Sequence, residues 1–172
     1  MNRPLVLVAA LLGVLFLASP CSLSAQPAHR AARPVSAKKF DALATRAIAA
    51  MRARAAQLNI TGVAVVSYAP GDTVQGWLSK MAVVGRMKDA PTATTKGNNL
   101  IGIAYAKSAE MADTLQNSGT ASRPPMTGEF GWQGGVTGQG KTGRIIVAFS
   151  GGKSEDDVQV SRAGLAVIQP AL

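Results

Sequence analysis

Apolar residues recur at intervals of three and four in the segment after residue 35, which places them on one face of a helix. This face consists of Leu43, Ala47, Ile48, Met51, Ala55 and Leu58. Helix signals begin at Ser36, and Asn59 is a suitable residue to close the helix as its C-cap. The pattern therefore predicts one long amphipathic helix at the start of the folded region.

A continuous apolar run at residues 62–68 predicts a buried strand. Pro70 and Gly71 favour a turn after it, and a second, irregular strand is expected within residues 73–84, so that the two form an antiparallel hairpin. A polar loop covers residues 86–99. A second helix is then predicted over residues 99–116, with one face made of Leu100, Ala104, Lys107 with Ser108, Met111 and Leu115.

A Gly/Pro-rich loop is predicted over residues 117–135, a length typical of functional or interface loops. Residues 135–142 then match the phosphate-binding pattern G-x-x-x-x-G-K-[ST] at every position. Such a loop needs a strand before it and a helix after it, whereas residues 144–149 are typical of a strand. We therefore predict a β-hairpin with Lys141 exposed at its turn, and no ATP.

The last helix is predicted to begin with Ser154 as its N-cap. Glu155, Asp156 and Asp157 follow, where the helix dipole favours negative charge by ~0.3–1 kcal/mol each when exposed. Its apolar face is carried by Val158, Leu165 and Ile168. The whole order, helix–strand–strand–helix–loop–strand–strand–helix, predicts an α+β fold in which an antiparallel β-sheet is flanked by α-helices.

The first 25 residues have the pattern of a secretory signal peptide: Arg3, an apolar run from Leu5 to Ala18, and small residues ending at Ala25. The run is shorter than the roughly 20 residues of a membrane-spanning helix, so no stable membrane insertion is expected. We predict an exported protein, periplasmic or extracellular, with a flexible tail at residues 26–35 and a single domain at 36–172. The only Cys, Cys21, would leave with the signal.

The formal net charge of +9 favours anionic partners. The basic residues are scattered, with no aromatic interleaving and no helical stripe, so no nucleic acid partner is predicted. The only His, His29, lies in the predicted tail. The folded region therefore offers no base for Ser150 and no paired carboxylates, which argues against an enzyme.

Several motifs resemble the GlcG/HbpS-like family of haem-binding proteins, which includes the C-terminal domain of PduO-type proteins. The strongest lie in residues 134–165: Gly134-Gly135, a strand that ends in Ser-Gly-Gly at residues 150–152, and the helix that begins with acidic residues. Residues 86–90, Arg-Met-Lys-Asp-Ala, resemble the family's Arg-Met-Asp-Gly-Ala loop, and residues 104–108 resemble its Ala-x-x-Lys-Ala helix motif. The resemblance implies a profilin-like layered fold and a homo-oligomer.

The resemblance also implies non-covalent binding of haem. Haem iron takes donors such as His, Met or Tyr, and its propionates pair with Arg or Lys. The candidate site residues in the matched motifs are Arg86, Met87, Lys88, Tyr105, Lys107, Gly134 and Gly135. Among these, Met87 is the candidate ligand for haem iron, and Met126 is a further exposed candidate; packing is the alternative role of both.

Two other functions remain open on the sequence alone. The chain has Ser67-Tyr68 near the end of its first strand, where the family usually has an Asp, and Val136-Thr137 where a Pro usually follows the two glycines. Such departures favour an assembly or interaction protein that keeps the fold without the haem site. A protein that binds another small organic anion is the second alternative.

Overall fold

The computed structural model describes residues 34–172, which contain three α-helices and six β-strands. The helices are α1 (Ala37–Gln57), α2 (Leu100–Thr114) and α3 (Ser154–Ile168). The strands are β1 (Gly62–Pro70), β2 (Leu78–Val84), β3 (Lys88–Asp89), β4 (Asn98–Asn99), β5 (Gly135–Gln139) and β6 (Gly143–Ser150). A short 3₁₀ helix, Gln169–Ala171, follows α3.

Four of the strands form one antiparallel sheet in the order β2-β1-β6-β5. The central strands β1 and β6 pair with Val63 opposite Ser150 at one end and Pro70 opposite Gly143 at the other. Both are almost wholly buried, because helices cover both faces of the sheet. The remaining strands, β3 and β4, pair as a separate two-stranded ribbon.

Alternate residues of the central strands enter two different hydrophobic clusters. Ala64, Val66 and Phe149 belong to the cluster that contains the buried faces of α1 and α3. Val63 and Ile146 belong to the other cluster, which contains the buried face of α2. The molecule therefore has three layers, with α1 and α3 on one side of the sheet and α2 on the other.

The layered α+β fold predicted from the sequence is confirmed. Ser36 is the N-cap of α1, and its hydroxyl accepts a hydrogen bond from the Lys39 N–H at 3.3 Å. The C-cap of α1 is Leu58 rather than the predicted Asn59, which is the next residue and adopts the left-handed conformation at φ 54°. The signal peptide, the tail up to residue 33 and His29 lie outside the described residues.

Three local predictions need correction. The second strand begins at Leu78 rather than at residue 73, because the Gly71–Gly76 connection leaves the sheet before the chain returns. The polar loop contains the β3–β4 ribbon. The N-cap of α3 is Lys153, with no side-chain cap, and Ser154 is already helical. Asp157, one turn into the helix, accepts a hydrogen bond from the N–H of Gly152, which precedes the helix.

Candidate functional site

Arg86 anchors the loop that precedes the β3–β4 ribbon. Its guanidinium donates to the Thr61 carbonyl at 2.9 Å and to the Thr61 hydroxyl, to the Gly151 carbonyl at 2.7 Å, and to Asp89 at 2.8 Å. Hydrogen bonds from Asn98 and Arg86 hold the pKa of Asp89 below its ordinary value. The side chain predicted to bind a ligand therefore fixes the position of the ribbon relative to the sheet.

The two neighbours of Arg86, Met87 and Lys88, are exposed, and Met87 is 48% exposed. Both line a surface cavity of about 380 Å³, which we call the ribbon cavity. Its lining also includes Asp89, Lys96, Gly97, Asn98, Asn99 and Ile101. The ribbon cavity thus combines an accessible thioether with two ammonium groups, and its size is in the range of small-molecule sites.

Lys107 lies on the sheet-facing side of α2 and forms a buried ion pair with Asp157 of α3. The Nζ–Oδ2 distance is 2.8 Å, and both side chains are 4% exposed. The ammonium also donates to the Phe149 carbonyl at 2.8 Å, and Asp157 accepts from the Gly152 N–H at 2.8 Å. Burial lowers the pKa of Lys107 and raises that of Asp157, and their mutual attraction opposes both changes.

Gly134 and Gly135 are required by close packing around this pair. Gly134 has φ +132°, and a Cβ there would collide with the Lys107 ammonium. The Gly134 carbonyl accepts hydrogen bonds from the Ser161 hydroxyl at 2.7 Å and the Phe149 N–H at 3.1 Å. A Cβ on Gly135 would collide with the Met111 methyl group. Both glycines thus let β5 approach α2 and α3 closely.

A small polar cavity of about 110 Å³ lies where β6 ends and α3 begins. Its lining includes both members of the Lys107–Asp157 pair, Asp89 and Asn98 of the ribbon, and Trp132 and Gln133 of the long loop. The wall at the start of α3 is formed by Ser150, Gly151, Gly152 and Ser154. The apolar part of the lining is formed by Leu100 and Ile103. The segments that carry the family resemblance, at residues 86–90, 104–108, 134–135 and 150–157, therefore meet around this cavity.

Tyr105 lies away from the other candidate residues, at the flank of α2 that faces β2. Its hydroxyl is 3.4 Å from that of Ser79. A cavity of about 590 Å³, larger than the ribbon cavity, is lined by α2 and the connection before β2, including Val74, Trp77, Ala109, Ala112 and Asp113. Among residues 34–172, its lining includes none of the candidate residues and one charged residue, the acid Asp113.

The long loop between α2 and β5 is braced by Arg123. The guanidinium pairs with Asp113 at 2.7 Å and with Glu129 at 2.7 Å. Phe130 and Trp132 follow as a stacked, half-exposed pair with ring centroids 4.8 Å apart. Phe130 lines a further cavity of about 330 Å³ that shares Gly97, Asn98 and Asn99 with the ribbon cavity. The loop therefore forms a wall beside the candidate site.

The segment that matches the phosphate-binding pattern, residues 135–142, forms strand β5 and the turn that leads into β6. The two strands pair as an antiparallel hairpin. The hairpin prediction is confirmed, and Lys141 is exposed at the turn as expected. The Lys141 N–H donates to the Leu172 carbonyl at 2.9 Å. The Thr142 hydroxyl is 2.7 Å from that of Tyr68. These residues hold the C-terminal segment against the sheet.

Sequence comparison finds no matching family model and no matching curated protein. Solved structures do match. The Klebsiella pneumoniae protein ORFY, of family DUF336, has a TM-score of 0.54 and 14% identity, over 86% of this chain and 99% of that one. A second, a PduOC:heme complex, has a TM-score of 0.53 and 16% identity, over 79% of this chain and 96% of that one.

This chain has the GlcG/PduO C-terminal-type fold. The resemblance expected from the sequence motifs is therefore confirmed in the architecture, from α1 through α3. Among residues 34–172, no helix is long and apolar enough to cross a membrane. The same residues contain no group of three or more His, Cys, Asp and Glu side chains that could hold a metal ion.

The structure brings the candidate residues together in two groups. Arg86, Met87 and Lys88 meet at the ribbon, whereas Lys107, Gly134 and Gly135 meet at the sheet end, and Tyr105 belongs to neither group. Sequence reasoning missed three contributors to the lining, Lys96, Phe130 and Asp157. One signal for Asp157 was present, because a Lys on the apolar face of a helix needs a buried acid.

Proposed function

We propose that this protein binds haem non-covalently in the ribbon cavity, as an exported homo-oligomer. The observation that carries the proposal is that exposed Met87 lines a cavity of about 380 Å³ together with Lys88 and Lys96. A relative in fold is described as a heme complex. The net charge of +9 also favours an anionic ligand.

The residues of the ribbon cavity fit haem in their chemistry. Met87 offers a thioether, a donor used for haem iron, and the two lysines offer charges for the propionates. Bound haem would supply iron-centred redox chemistry. Arg86, with its guanidinium committed to the protein, positions the loop that carries Met87. The cavity of about 590 Å³ fits less well, since the described residues of its lining include no thioether and their only charge is that of Asp113.

The first test is a haemin titration of protein purified from cells that express the full chain. We expect a saturable Soret shift with a Kd on the order of 1 μM or tighter. Met87→Ala should weaken binding at least tenfold and change the Soret position, because the axial donor is lost. Met81→Ala is the matched control, since Met81 is 37% exposed on β2 and lies outside the ribbon cavity.

Two further variants locate the ligand. Lys88→Gln with Lys96→Gln should weaken haemin binding without changing the Soret position, because these lysines pair with propionates rather than iron. Ala112→Leu, which narrows the cavity of about 590 Å³, should leave the haemin titration unchanged. A Soret shift that is lost in Ala112→Leu and kept in Met87→Ala would place haem elsewhere and refute the ribbon site.

An assembly protein without haem is the second candidate. It is favoured by the half-exposed apolar side chains Trp77, Met81 and Val83, which lie along or next to the edge strand β2. A flat haemin titration on a stable oligomer, measured by native mass, would support this function. If the protein instead binds another small organic anion, that anion should displace a fluorescent anion bound at Lys88 and Lys96.

Export is tested on the protein itself. If residues 1–25 are a signal peptide, the mass of the protein recovered from the periplasm or the medium should correspond to a chain that begins at Gln26. An intact N-terminus recovered from the cytoplasm would contradict this part of the proposal.

A further inference from the structure

The polar cavity at the sheet end differs from the ribbon cavity in its chemistry and size. At about 110 Å³ it is smaller than a cavity of about 150 Å³, which accepts a benzene ring. A haem macrocycle does not fit into it. Any organic ligand of this cavity must therefore be small, with about four to six non-hydrogen atoms.

Lys107 supplies a buried positive charge at this cavity. Two of its three N–H donors are used, one by the Phe149 carbonyl and one by Asp157. An ammonium group has three donors, so one remains for a further acceptor. The residue is 3% exposed and lines the cavity, so this acceptor would sit in a site that is screened from bulk water.

Ser150 is the second polar group directed at the cavity. It ends β6 on the face that carries Ile146 and Ala148, and it is 3% exposed. Its hydroxyl takes no part in the side-chain hydrogen bonds found among residues 34–172, although the residue lines the cavity. The hydroxyl is not among the fully buried atoms that lack a partner, so it is reached from the cavity and is free to bond a water or a ligand there.

The start of α3 is the third contribution. Its N-cap, Lys153, makes no side-chain cap, and Gly152 and Ser154 line the cavity. The N–H groups of a first helical turn and the helix dipole favour an anion. The two acids of the lining are already neutralised, Asp157 by Lys107 and Asp89 by Arg86 at 2.8 Å. The polar groups of the lining that remain free to bond a ligand are therefore hydrogen-bond donors.

We propose that the polar cavity binds a small free carboxylate, held by the Lys107 ammonium, the Ser150 hydroxyl and the N–H groups at the start of α3. A monocarboxylate of two or three carbons matches the volume and the donors. The site adjoins the ribbon cavity, with which it shares Asp89 and Asn98, but its donors are different and do not depend on haem. Its natural ligand would be a small organic acid rather than a phosphate ester, whose bulk exceeds the cavity.

The test uses acetate as the probe and the purified full-chain product without haem. Amide resonances of Gly151, Gly152 and Ser154 should shift saturably, with a Kd on the order of 1 mM, as expected for a ligand of about four heavy atoms. Sodium chloride at equal ionic strength should not produce these shifts. Hexanoate and benzoate, which have more than six non-hydrogen atoms and so exceed the cavity, should bind at least tenfold more weakly.

Ser150→Ala is the variant that isolates the site, because it removes one hydroxyl and leaves the Lys107–Asp157 pair intact. We expect it to weaken acetate binding about three- to tenfold, the effect of one hydrogen bond. Ser79→Ala, an exposed serine on β2, is the matched control and should bind as the parent does. If the parent protein, Ser150→Ala and Ser79→Ala bind acetate with equal affinity, the proposed site is refuted.

Two other outcomes would overturn the proposal. Shifts that follow ionic strength rather than acetate would leave only a general salt effect. Mutual exclusion of acetate and haemin would assign the cavity to the propionates of haem instead of a separate acid. Because acetate is first titrated without haem, a failed haemin titration in the ribbon cavity leaves this result intact.

Discussion

Lys107 is the residue whose role differs most from its sequence-based assignment. It was expected as a ligand contact, and it is also the buried partner of Asp157 at 2.8 Å. The three acids at the start of α3 were expected to interact favourably with the helix dipole, and the buried contact of Asp157, which is 3% exposed, was not predicted. A buried pair of this kind contributes little net stability, whereas the loss of one partner is costly.

Replacement of Lys107 by Met should therefore destabilise the protein by about 3–5 kcal/mol near neutral pH, because it leaves a buried carboxylate without a counter-charge. The pKa of Asp157, already raised by burial, should rise further. The folded state then binds more protons than the unfolded state above pH 3.8, so the unfolding free energy falls as the pH rises toward the new pKa.

Urea denaturation at about pH 4.5 and pH 8 should thus show a smaller deficit for Lys107→Met at the lower pH. The double variant Lys107→Met with Asp157→Asn has no buried charge, and its deficit should be similar at both values. A Lys107→Met deficit that does not change with pH would contradict the buried-carboxylate explanation.

Glu129 provides an acid-sensitive contact in the long loop. Arg123 holds its pKa at about 2, and the Met126 N–H also donates to it at 2.9 Å. Because this pKa is below the ordinary value of 4.5, the contact is fully present above pH 4.5 and is lost as the pH falls through about 2.

We expect the fluorescence of Trp132, measured in a Trp77→Phe background, to change over this acidic range as the loop loosens. Glu129→Gln should lack the transition, whereas Asp113→Asn, which removes the other acid at Arg123, should keep it. An unchanged transition in Glu129→Gln would exclude this carboxylate as its origin.

Helices α1 and α3 pack closely because small residues lie between them. Ala44, Ala47 and Ala55 of α1 are fully buried, and a Cβ added to Gly164 of α3 would lie 2.7 Å from the Met51 Cγ. Close approach of this kind depends on the small side chains and on native packing density.

Gly164→Val should lower the unfolding free energy by about 1–3 kcal/mol, because overpacking forces Met51 to move and outweighs the gain in helix propensity. Ala166→Val, on the exposed side of the same helix, should cost less than about 1 kcal/mol. The comparison uses thermal or urea unfolding, and equal losses in the two variants would show that packing at Gly164 is not the cause.

The hydrophobic pattern predicted the elements well, since the long runs of α1, β1, α2 and β6 carry periodic apolar residues. The start of β2 was harder to predict, because residues 73–77 are neither apolar nor periodic enough to mark where the sheet begins. The β3–β4 ribbon has two residues in each strand, too few for any period.

The candidate site was predicted only in part for a different reason. Lys107 and Asp157 are 50 residues apart, and Arg86 and Gly151 are 65 apart, so each partner depends on the tertiary arrangement. A sequence shows that Arg86 and Lys107 are cations. It does not show that most of their donors are already committed to oxygen atoms of the same chain, which shifts the exposed charge to Lys88 and Lys96.

The charge of the complete molecule should act on ligand association. With a net charge of +9, and with Lys88 and Lys96 at the ribbon cavity, an anionic ligand is attracted over about 10 Å at 0.1 M salt. Association of haemin should slow several-fold between about 20 mM and 500 mM sodium chloride, as measured by stopped-flow absorbance.

The double variant Lys88→Gln with Lys96→Gln should reduce this salt dependence, because the charges nearest the ligand path are removed. A matched pair of substitutions at Lys38 and Lys39, at the start of α1, should have a smaller effect. If both pairs change the salt dependence equally, the attraction comes from the total charge and not from the ribbon cavity.

The Lys107–Asp157 ion pair also joins the two helical layers of the molecule. It connects α2 to the beginning of α3, although the two helices cover opposite faces of the sheet and belong to separate hydrophobic clusters. A cross-link of this type couples the opening of one layer to that of the other. The pair therefore favours all-or-none unfolding, and without it the α2 layer could exchange its amide hydrogens while α1 and α3 stay closed.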